Sequence, residues 1–527
     1  MQWDDEVDVL VAGSGGALCG AYTAAREGLR VAVVEATDKF GGTTAYSGGG
    51  GMWFPCNPVL QRAGTDDTID AALEYFHAVV GDRTPRELQD TYVRGGAGVI
   101  EYLETDPAFS FDMYPWPDYF RAAPGARLDG QRHTTPTPLP ADELGELRDR
   151  LRGPLDTDRL GAAPPDLLIG GQALIGRFLK ALSAFDNVSL HLNSPLVDLI
   201  TDDGRVVGAV IERDGVRQTI RAHRGVLLAT GGFEQNQAMR DRHGVPGSAR
   251  DTMGPWGNLG HAHRAAMAIG AGTDLLDQAW WSPGMVHPDG RAAFALWFTG
   301  GIFVNQEGKR FVNESAPYDR LGRAVIESTE SGTVSLPYWM IYDDADGAVP
   351  PVQATNVSMA PTADYENAGL WHTADTLEEL AAAIGVDPVG LVDTVTRFNK
   401  MVADGVDTDF GRGDEAYDRA FSDGATPLAA IDQPPYHAAA FGVSDLGTKG
   451  GLTTDTAGAV LDAAGDRIPG LYAAGNTMAA VSGTVYPGGG NPIGASVLFS
   501  HLAALDMVAT TTANGHTDDT IDIEESK

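Results

Sequence analysis

Residues Val7–Glu35, VDVLVAGSGGALCGAYTAAREGLRVAVVE, decide the fold of this chain. Val7–Ala12 is a largely apolar run of the kind that forms a buried parallel strand, Gly13-Ser14-Gly15-Gly16 is a tight glycine turn, and Ala17–Glu27 sets small and apolar residues at helical spacing. A second strand, Leu29–Val34, ends on Glu35, roughly 20 residues past the glycines, where a carboxylate can accept hydrogen bonds from a ribose diol. Glycines let the backbone approach a pyrophosphate, and the free N–H groups and dipole at the helix N-terminus favour its charge. The stretch is half of a Rossmann unit and predicts a bound dinucleotide. It departs from G-x-G-x-x-G at one place: Leu18 stands where the third glycine belongs, with Ala17 and Gly20 the nearest small residues.

At 527 residues the chain exceeds what one core organises, so two domains are expected. Thirty-seven Lys and Arg against 72 Asp and Glu give a net charge of −35, which repels nucleic acid and anionic membrane surfaces and argues against both as partners. Cys19 falls in the first helix and Cys56 in a loop, so no disulfide framework or metal set follows; the twelve histidines show no HExxH spacing. The N-terminus lacks a basic region followed by a long apolar segment, and no run reads as the ~20-residue span of an integral membrane helix. A soluble cytoplasmic protein without a metal is the expectation.

Behind Glu35 a second glycine-rich segment, Phe40–Trp53, offers hydroxyls and a thin backbone to a ligand. Helices are expected at Asp67–Val80 and Thr84–Glu104, and Tyr114–Phe120 reads as a stiff aromatic loop. Pro124–Pro165 reads as a long surface excursion, and a helix runs from Gly170 to about Phe185. Val188–Asn193, Leu196–Thr201, Val206–Arg213 and Arg217–Ala222 read as a small meander, and Gly225–Phe233 as a separate buried strand. From about Gln278 to Ser444 the texture changes to Trp280, Trp281, Phe294, Trp297 and Phe298, with short strands and acidic helices. Within it, Phe303–Asn305 and Lys309–Glu314 read as a hairpin delivering Ser315–Tyr318 into a loop. The chain then returns through Gly447–Gly451, a strand at Gly470–Asn476 and a glycine loop ending at Gly494, into a final apolar helix whose N-terminus would favour an electron-rich ring. The domains expected are 1–277 and 445–509 as one split cofactor domain, 278–444 as an inserted domain, and 510–527 as a disordered acidic tail.

The fingerprint alone admits nicotinamide or flavin. One N-terminal fingerprint completed by Ala229-Thr230-Gly231-Gly232 and Tyr472–Asn476 resembles flavoproteins of the fumarate reductase and succinate dehydrogenase type. Further stretches, FPDYY-like Trp116–Phe120, Asn313–Tyr318, Ser444–Gly451 and YPGxG at Tyr486–Gly490, are similar to the bacterial 3-ketosteroid Δ1-dehydrogenases from Asp8 to about Met507. That resemblance implies an α/β fold: a Rossmann-like FAD-binding domain with an inserted α+β domain capping the substrate. It implies FAD held by Gly13, Ser14, Gly15, Gly16, Ala17, Glu35, Ala36, Gly41, Gly42, Thr43, Thr44, Ser47, Gly48, Gly49, Val197, Thr230, Gly231, Gly475, Asn476, Pro492 and Ile493. The implied reaction removes two hydrogens from ring A of a 3-ketosteroid, as in steroid degradation. Tyr486 and the Gly490 N–H would polarise the C3 carbonyl, Tyr318 would take the C2 proton with Tyr119 supporting it, and C1 would give hydride to flavin N5. Trp116 and Phe294, with Tyr119, Tyr318 and Tyr486, would face the steroid, and a quinone-like acceptor or oxygen would reoxidise the flavin.

Other members of the superfamily act on Δ4-(5α) positions or on dicarboxylates, the latter through arginine clamps, for which Arg310 and Arg323 are the residues to compare. Three places depart from the steroid-family pattern: Gly489 replaces its usual proline, Asn491 an apolar residue, and Leu259 with His261 the Thr and Asp of an NTGD motif.

Overall fold

Two sheets organise the chain in a computed structural model that describes residues 2–420, 422 and 426–510. The first begins as the fingerprint predicts: β1 (Asp5–Ala12), α1 (Leu18–Arg26) and β2 (Val31–Val34). Then come β3 (Val188–His191), β4 (Val216–Leu228) and, from far along the chain, β5 (Arg467–Ala473), giving the parallel order β5-β4-β1-β2-β3. Val9–Ala12 pair with Gly225–Leu228 on one side and with Val31–Val34 on the other. These strands are buried on both faces, which is why they read as continuous apolar runs. Leu10, Val11, Val33 and Leu227 are fully buried, each worth ~1.5–3 kcal/mol over an exposed position. The final helix, α2 (Asn491–Ala509), packs beside α1, where a Cβ on Gly20 would lie 2.7 Å from the Ser500 carbonyl oxygen.

Several expectations are corrected here. Val188–His191 is a strand of the parallel sheet and not part of the meander, because it pairs with Val31–Val34. Arg217–Ala222 and Gly225–Leu228 belong to one 13-residue strand, β4; one edge pairs antiparallel with Arg205–Arg213 and then parallel with β5, while the other pairs parallel with β1 from Ile220 on. Pro124–Pro165 is no surface excursion. Its strand His133–Pro136 joins Met52–Trp53 and Phe111–Met113, and Arg132 and Arg152 within it are fully buried in ion pairs with Asp118 and Asp158. Its polar composition reports those buried partners. Against the expectation that no run does so, α2 is long and apolar enough to cross a membrane, with mean hydropathy 1.4 over its 18-residue window. More than half of that window is packed inside the protein. The tail expected at 510–527 lies, beyond Thr510, outside the described residues.

The second sheet has seven strands, among them Ala279–Val286, Ala292–Phe298, Tyr338–Asp343 and Tyr436–Thr448. The last runs past residue 444, so the boundary expected there falls inside a strand. The expected hairpin at 303–314 is short: its turn closes from Asn305 to Lys309 with one bridge between Val304 and Arg310, while the other edge of Ile302–Val304 pairs with Tyr338–Asp343. Arg310 and Glu314 turn inward to a buried ion network with Asp407 and Arg412. Tyr318 is not in a loop: it is the first residue of the helix Tyr318–Glu330, after Pro317, a proline-led start in which no amide is lost. Gly322 in that helix lies so close to the strand that an added Cβ would sit 2.6 Å from the Ser282 amide.

Candidate active site

Where the two sheets meet, a cavity of about 610 Å³ runs from the carboxyl ends of β1 and β2 to the N-terminus of α2. This is the crevice at which open parallel sheets bind ligands. At one end it is lined by Gly13, Ser14, Gly15, Gly16, Glu35 and Ala36, with Gly42, Thr43, Thr44, Ser47, Gly48 and Gly49 along the side. Thr230, Gly231, Gly475, Asn476, Pro492 and Ile493 close it from the returning chain.

The residues fit FAD. Gly13, at φ +104°, lets the turn lie against β4; a Cβ would sit 2.0 Å from the Ala229 carbonyl oxygen. Neither Ala17, the N-cap of α1, nor Gly490, the N-cap of α2, closes its helix with a side chain. Two uncapped helix N-termini therefore open on one cavity, each favouring negative charge. Glu35 is nearly buried, accepting from Ser14 Oγ at 2.5 Å and from the Thr37 amide and hydroxyl at 2.9 Å. Those bonds fix the carboxylate at the cavity edge. Asn476 is held by the Trp280 indole N–H at 3.1 Å.

Three expected cofactor residues stand back from the wall. Ala17 is buried in the turn, and Gly41 packs on Ala45 while its amide donates to Ser14 Oγ. Val197 is displaced by the pleat: Leu196, its neighbour, and Pro195 line the cavity, since successive strand side chains face opposite ways. Asn258 is a lining residue the sequence did not single out. Its side-chain amide donates to Glu234 at 2.5 Å and to Thr43 Oγ1 at 3.2 Å, and burial holds the Glu234 carboxyl up at about 7. His261, one of the motif departures, lines the wall from the start of the helix His261–Ala268.

At the far end stand the aromatic residues. Tyr318 and Tyr486 line the cavity, with Trp116, Phe294, Trp280, Trp297 and Gly490. Tyr119 is not among the lining residues. It is fully buried behind the other two, its ring 5.8 Å from Tyr318 and 5.4 Å from Tyr486, while Tyr318 and Tyr486 are 5.5 Å apart. All three meet edge to face. The Gly490 amide donates to the Tyr486 hydroxyl at 3.3 Å, which sets the two groups side by side on the cavity wall. Gly490 takes φ +85°, and a Cβ there would lie 2.5 Å from the Gly51 carbonyl oxygen.

The support behind the tyrosines is polar and locked. Asp118 bridges to Gly488, accepts from Arg132 at 2.7 Å, from Trp53 at 2.8 Å and from the Arg127 amide at 2.9 Å. Tyr119 donates its amide to Pro487, tying the two tyrosine loops together. Burial is the first cause of every shift among these groups. It raises Tyr318 well above the usual phenol range, with Tyr119 and Tyr486 adding to the effect, and pushes Tyr486 up to about 12. It also keeps His133, another lining residue, neutral by lowering it to about 4. Arg310 and Arg323 are not available to clamp an anion: the first pairs with Glu314 and Asp407, the second with Asp319, and neither lines the cavity.

Comparison with known proteins agrees with this geometry. Residues 8–493 match the family model described as FAD binding domain. A 3-oxosteroid 1-dehydrogenase of Rhodococcus opacus is 38% identical over 96% of this chain and 99% of its own length. A 4-oxocyclohexanecarboxylate 2-dehydrogenase of Sinomonas cyclohexanicum is 35% identical over 94% of this chain and 92% of its own. The crystal structure of 3-ketosteroid Δ1-dehydrogenase from Sterolibacterium denitrificans, in complex with 1,4-androstadiene-3,17-dione, superposes with a TM-score of 0.87 at 32% identity. It covers 96% of this chain and all of that one.

Proposed function

The chain belongs to the FAD-binding flavoprotein family that includes the 3-oxosteroid 1-dehydrogenases, and from that premise we propose that it introduces the C1–C2 double bond into ring A of 3-ketosteroids. FAD, held between Gly13–Gly16 and the start of α2, supplies a two-electron acceptor. The observation that carries the substrate assignment is the tyrosine cluster: the Tyr486 hydroxyl and the Gly490 amide sit 3.3 Å apart, and a second phenol, Tyr318, stands beside them on the same wall.

The chemistry of this chain's residues follows from that placement. A C3 carbonyl seated there would accept from the Tyr486 hydroxyl and, by replacing the Tyr486 oxygen as acceptor, from the Gly490 amide, and both bonds strengthen as enolate charge develops. Tyr486, held protonated by burial, remains a donor throughout the working pH range. Tyr318 would take the C2 proton, made acidic by the polarised carbonyl, as the C1 hydrogen leaves with its electron pair. Burial opposes a phenolate at Tyr318; its place as the first residue of Tyr318–Glu330 counters this by ~0.3–1 kcal/mol through the helix dipole. Tyr119 acts on Tyr318 from behind and not on the substrate. In this division the parallel-sheet part holds the cofactor and the second sheet supplies the substrate cover. The electron acceptor that follows is quinone-like or molecular oxygen.

The single-ring keto acid of the Sinomonas relative is the second substrate to consider, and the cavity argues against it. Among the described residues its lining includes Trp116, Phe294, Leu296 and Trp297 but no Lys or Arg to meet a carboxylate. Anaerobic titration of the FAD-loaded protein decides. Androst-4-ene-3,17-dione should bleach the flavin and yield the 1,4-diene, whereas 4-oxocyclohexanecarboxylate should not. Absence of bleaching by the steroid, or a double bond at another position, rejects the assignment.

A further inference from the structure

Resting on the reading of Tyr486 as the donor to the C3 carbonyl, we infer that Lys449 is a positioning residue of the reaction: its buried side-chain amine fastens the carbonyl that precedes Tyr486 and the face of Trp280 at one point, and so holds the Tyr486 hydroxyl in place. Lys449 follows the strand Tyr436–Thr448, within the Ser444–Gly451 stretch, and has no part in the chemistry described above. It is fully buried and stands behind the cavity wall without lining it. Its Nζ donates to the Val485 carbonyl at 2.7 Å and lies 3.9 Å from the centre of the Trp280 ring.

Burying an amine costs free energy unless it is bonded. Among the described residues Lys449 makes no ion pair: Asp319, the carboxylate that acts on it, is paired with Arg323 at 2.9 Å. The Val485 carbonyl and the indole face hold its tip instead, as a carbonyl and an aromatic ring can hold an ammonium. Burial lowers the amine well below the usual lysine range, but an amine donates to a carbonyl with or without its extra proton, so the bond to Val485 does not depend on the charge.

The root of the side chain is as fixed as its tip. The Lys449 amide donates to the Gln278 carbonyl at 2.9 Å and its own carbonyl accepts from the Ala480 amide at 3.2 Å. The next residue, Gly450, lies so close to the chain before Trp280 that an added Cβ would sit 2.1 Å from the Leu275 carbonyl oxygen. At the other end the Val485 carbonyl also accepts from Ser482 Oγ at 2.9 Å, so both of its lone pairs are used and the peptide plane entering Tyr486 is set. Trp280 meets the Tyr486 ring edge to face at 5.0 Å and donates to Asn476. One side chain thus ties the backbone before Tyr486 to the ring beside it, and Trp280, Asn476 and Tyr486 all line the cavity. A methionine at position 449 would fill the same space without donating.

The FAD-loaded protein and its K449M, S482A and Y486F variants test this, with flavin content checked in each. K449M should lower kcat by roughly 10–100-fold, the cost of misplacing a group that meets the reacting atoms, while KM stays within about twofold because the lysine does not touch the cavity. Ligand binding, read from the flavin spectrum, supplies a measure apart from activity. Estrone carries an oxygen at C3 of a planar ring A and so imitates the enolate; 3-deoxyestrone differs only by lacking that oxygen. The unaltered protein should prefer estrone, and K449M should lose roughly tenfold of that preference. S482A, which removes the other donor to Val485 and leaves the amine in place, should move kcat and the preference the same way by a smaller factor. K449M weakening both ligands alike, or leaving kcat and the preference unmoved, would overturn the inference. Should K449M not fold, unmoved kcat and preference in S482A would overturn it. No preference for estrone in the unaltered protein, or full activity in Y486F, would overturn the reading of Tyr486 itself.

Discussion

At the scale of single residues the site is a problem of holding phenols in two protonation states within one apolar cluster. Tyr486 must stay protonated and Tyr318 must reach the phenolate, yet burial raises both. Surroundings treat the two differently: the Gly490 amide donates to Tyr486, while at Tyr318 the neighbouring tyrosines add to the rise and the helix start favours the phenolate. Replacing Tyr318 by Phe should leave the protein yellow and lower kcat by about 10²–10⁴-fold, the usual worth of a positioned base; steady-state rates beside flavin absorbance check it. The pH dependence has a definite sign. Because the Tyr318 pKa is raised above its ordinary value, the ionised fraction falls tenfold for each unit below it, so kcat/KM should climb with pH from about 6 to about 10. Tyr486, ionising at about 12, should not impose an alkaline fall within that range. A bell with its maximum near neutrality would show that another group is the base.

Elements explain why some of this was legible in the sequence and some was not. The strand, glycine turn, helix and acid of Val7–Glu35 could be read directly, since local spacing fixes them and β1, α1 and β2 follow within two residues of the expected limits. Pro124–Pro165 could not, because its order comes from partners far away: Arg132 is polar in sequence and buried in the fold, answered by Asp67 and Asp118. The merged strand β4 was hidden by a change of partner halfway along it, which no local pattern records. Tyr119 was legible by motif, but its place behind the wall depends on the Pro487 loop, some 370 residues later. Two predictions belong at this scale. Arg132→Leu leaves two buried carboxylates without their cation and should cost ~3–5 kcal/mol, seen as a lower urea midpoint. Gly490→Ala forces a side chain against Gly51 at a left-handed N-cap and moves the amide beside Tyr486. Loss of one such donor lowers kcat by about 10²–10³-fold, which should appear with flavin still bound.

For the whole molecule, the consequence of the topology is that cofactor binding and chain closure are the same event. The walls of the cavity come from Gly13–Gly16 near the start, Asn258 and Thr230 midway, and Gly475–Ile493 near the end. Trp280, from the second sheet, bonds to Asn476 on the return segment, so the cover is fastened to the same walls. A ligand spanning these segments binds the folded state and has no comparable site in the unfolded one, where they are hundreds of residues apart. Free FAD at 100 times its Kd then adds ~2.7 kcal/mol of stability. With an unfolding entropy of about 2.1 cal/mol/K per residue, that is a rise of roughly 2–3 °C in Tm for a chain of 527 residues. The FAD-stripped protein should melt lower by that amount, recover it on adding FAD at that excess, and recover less with ADP, which leaves the α2 end of the cavity unfilled. Equal recovery with ADP would mean that the return of the chain at Gly475–Ile493 is closed without the flavin ring, and that only the fingerprint end gains from the ligand.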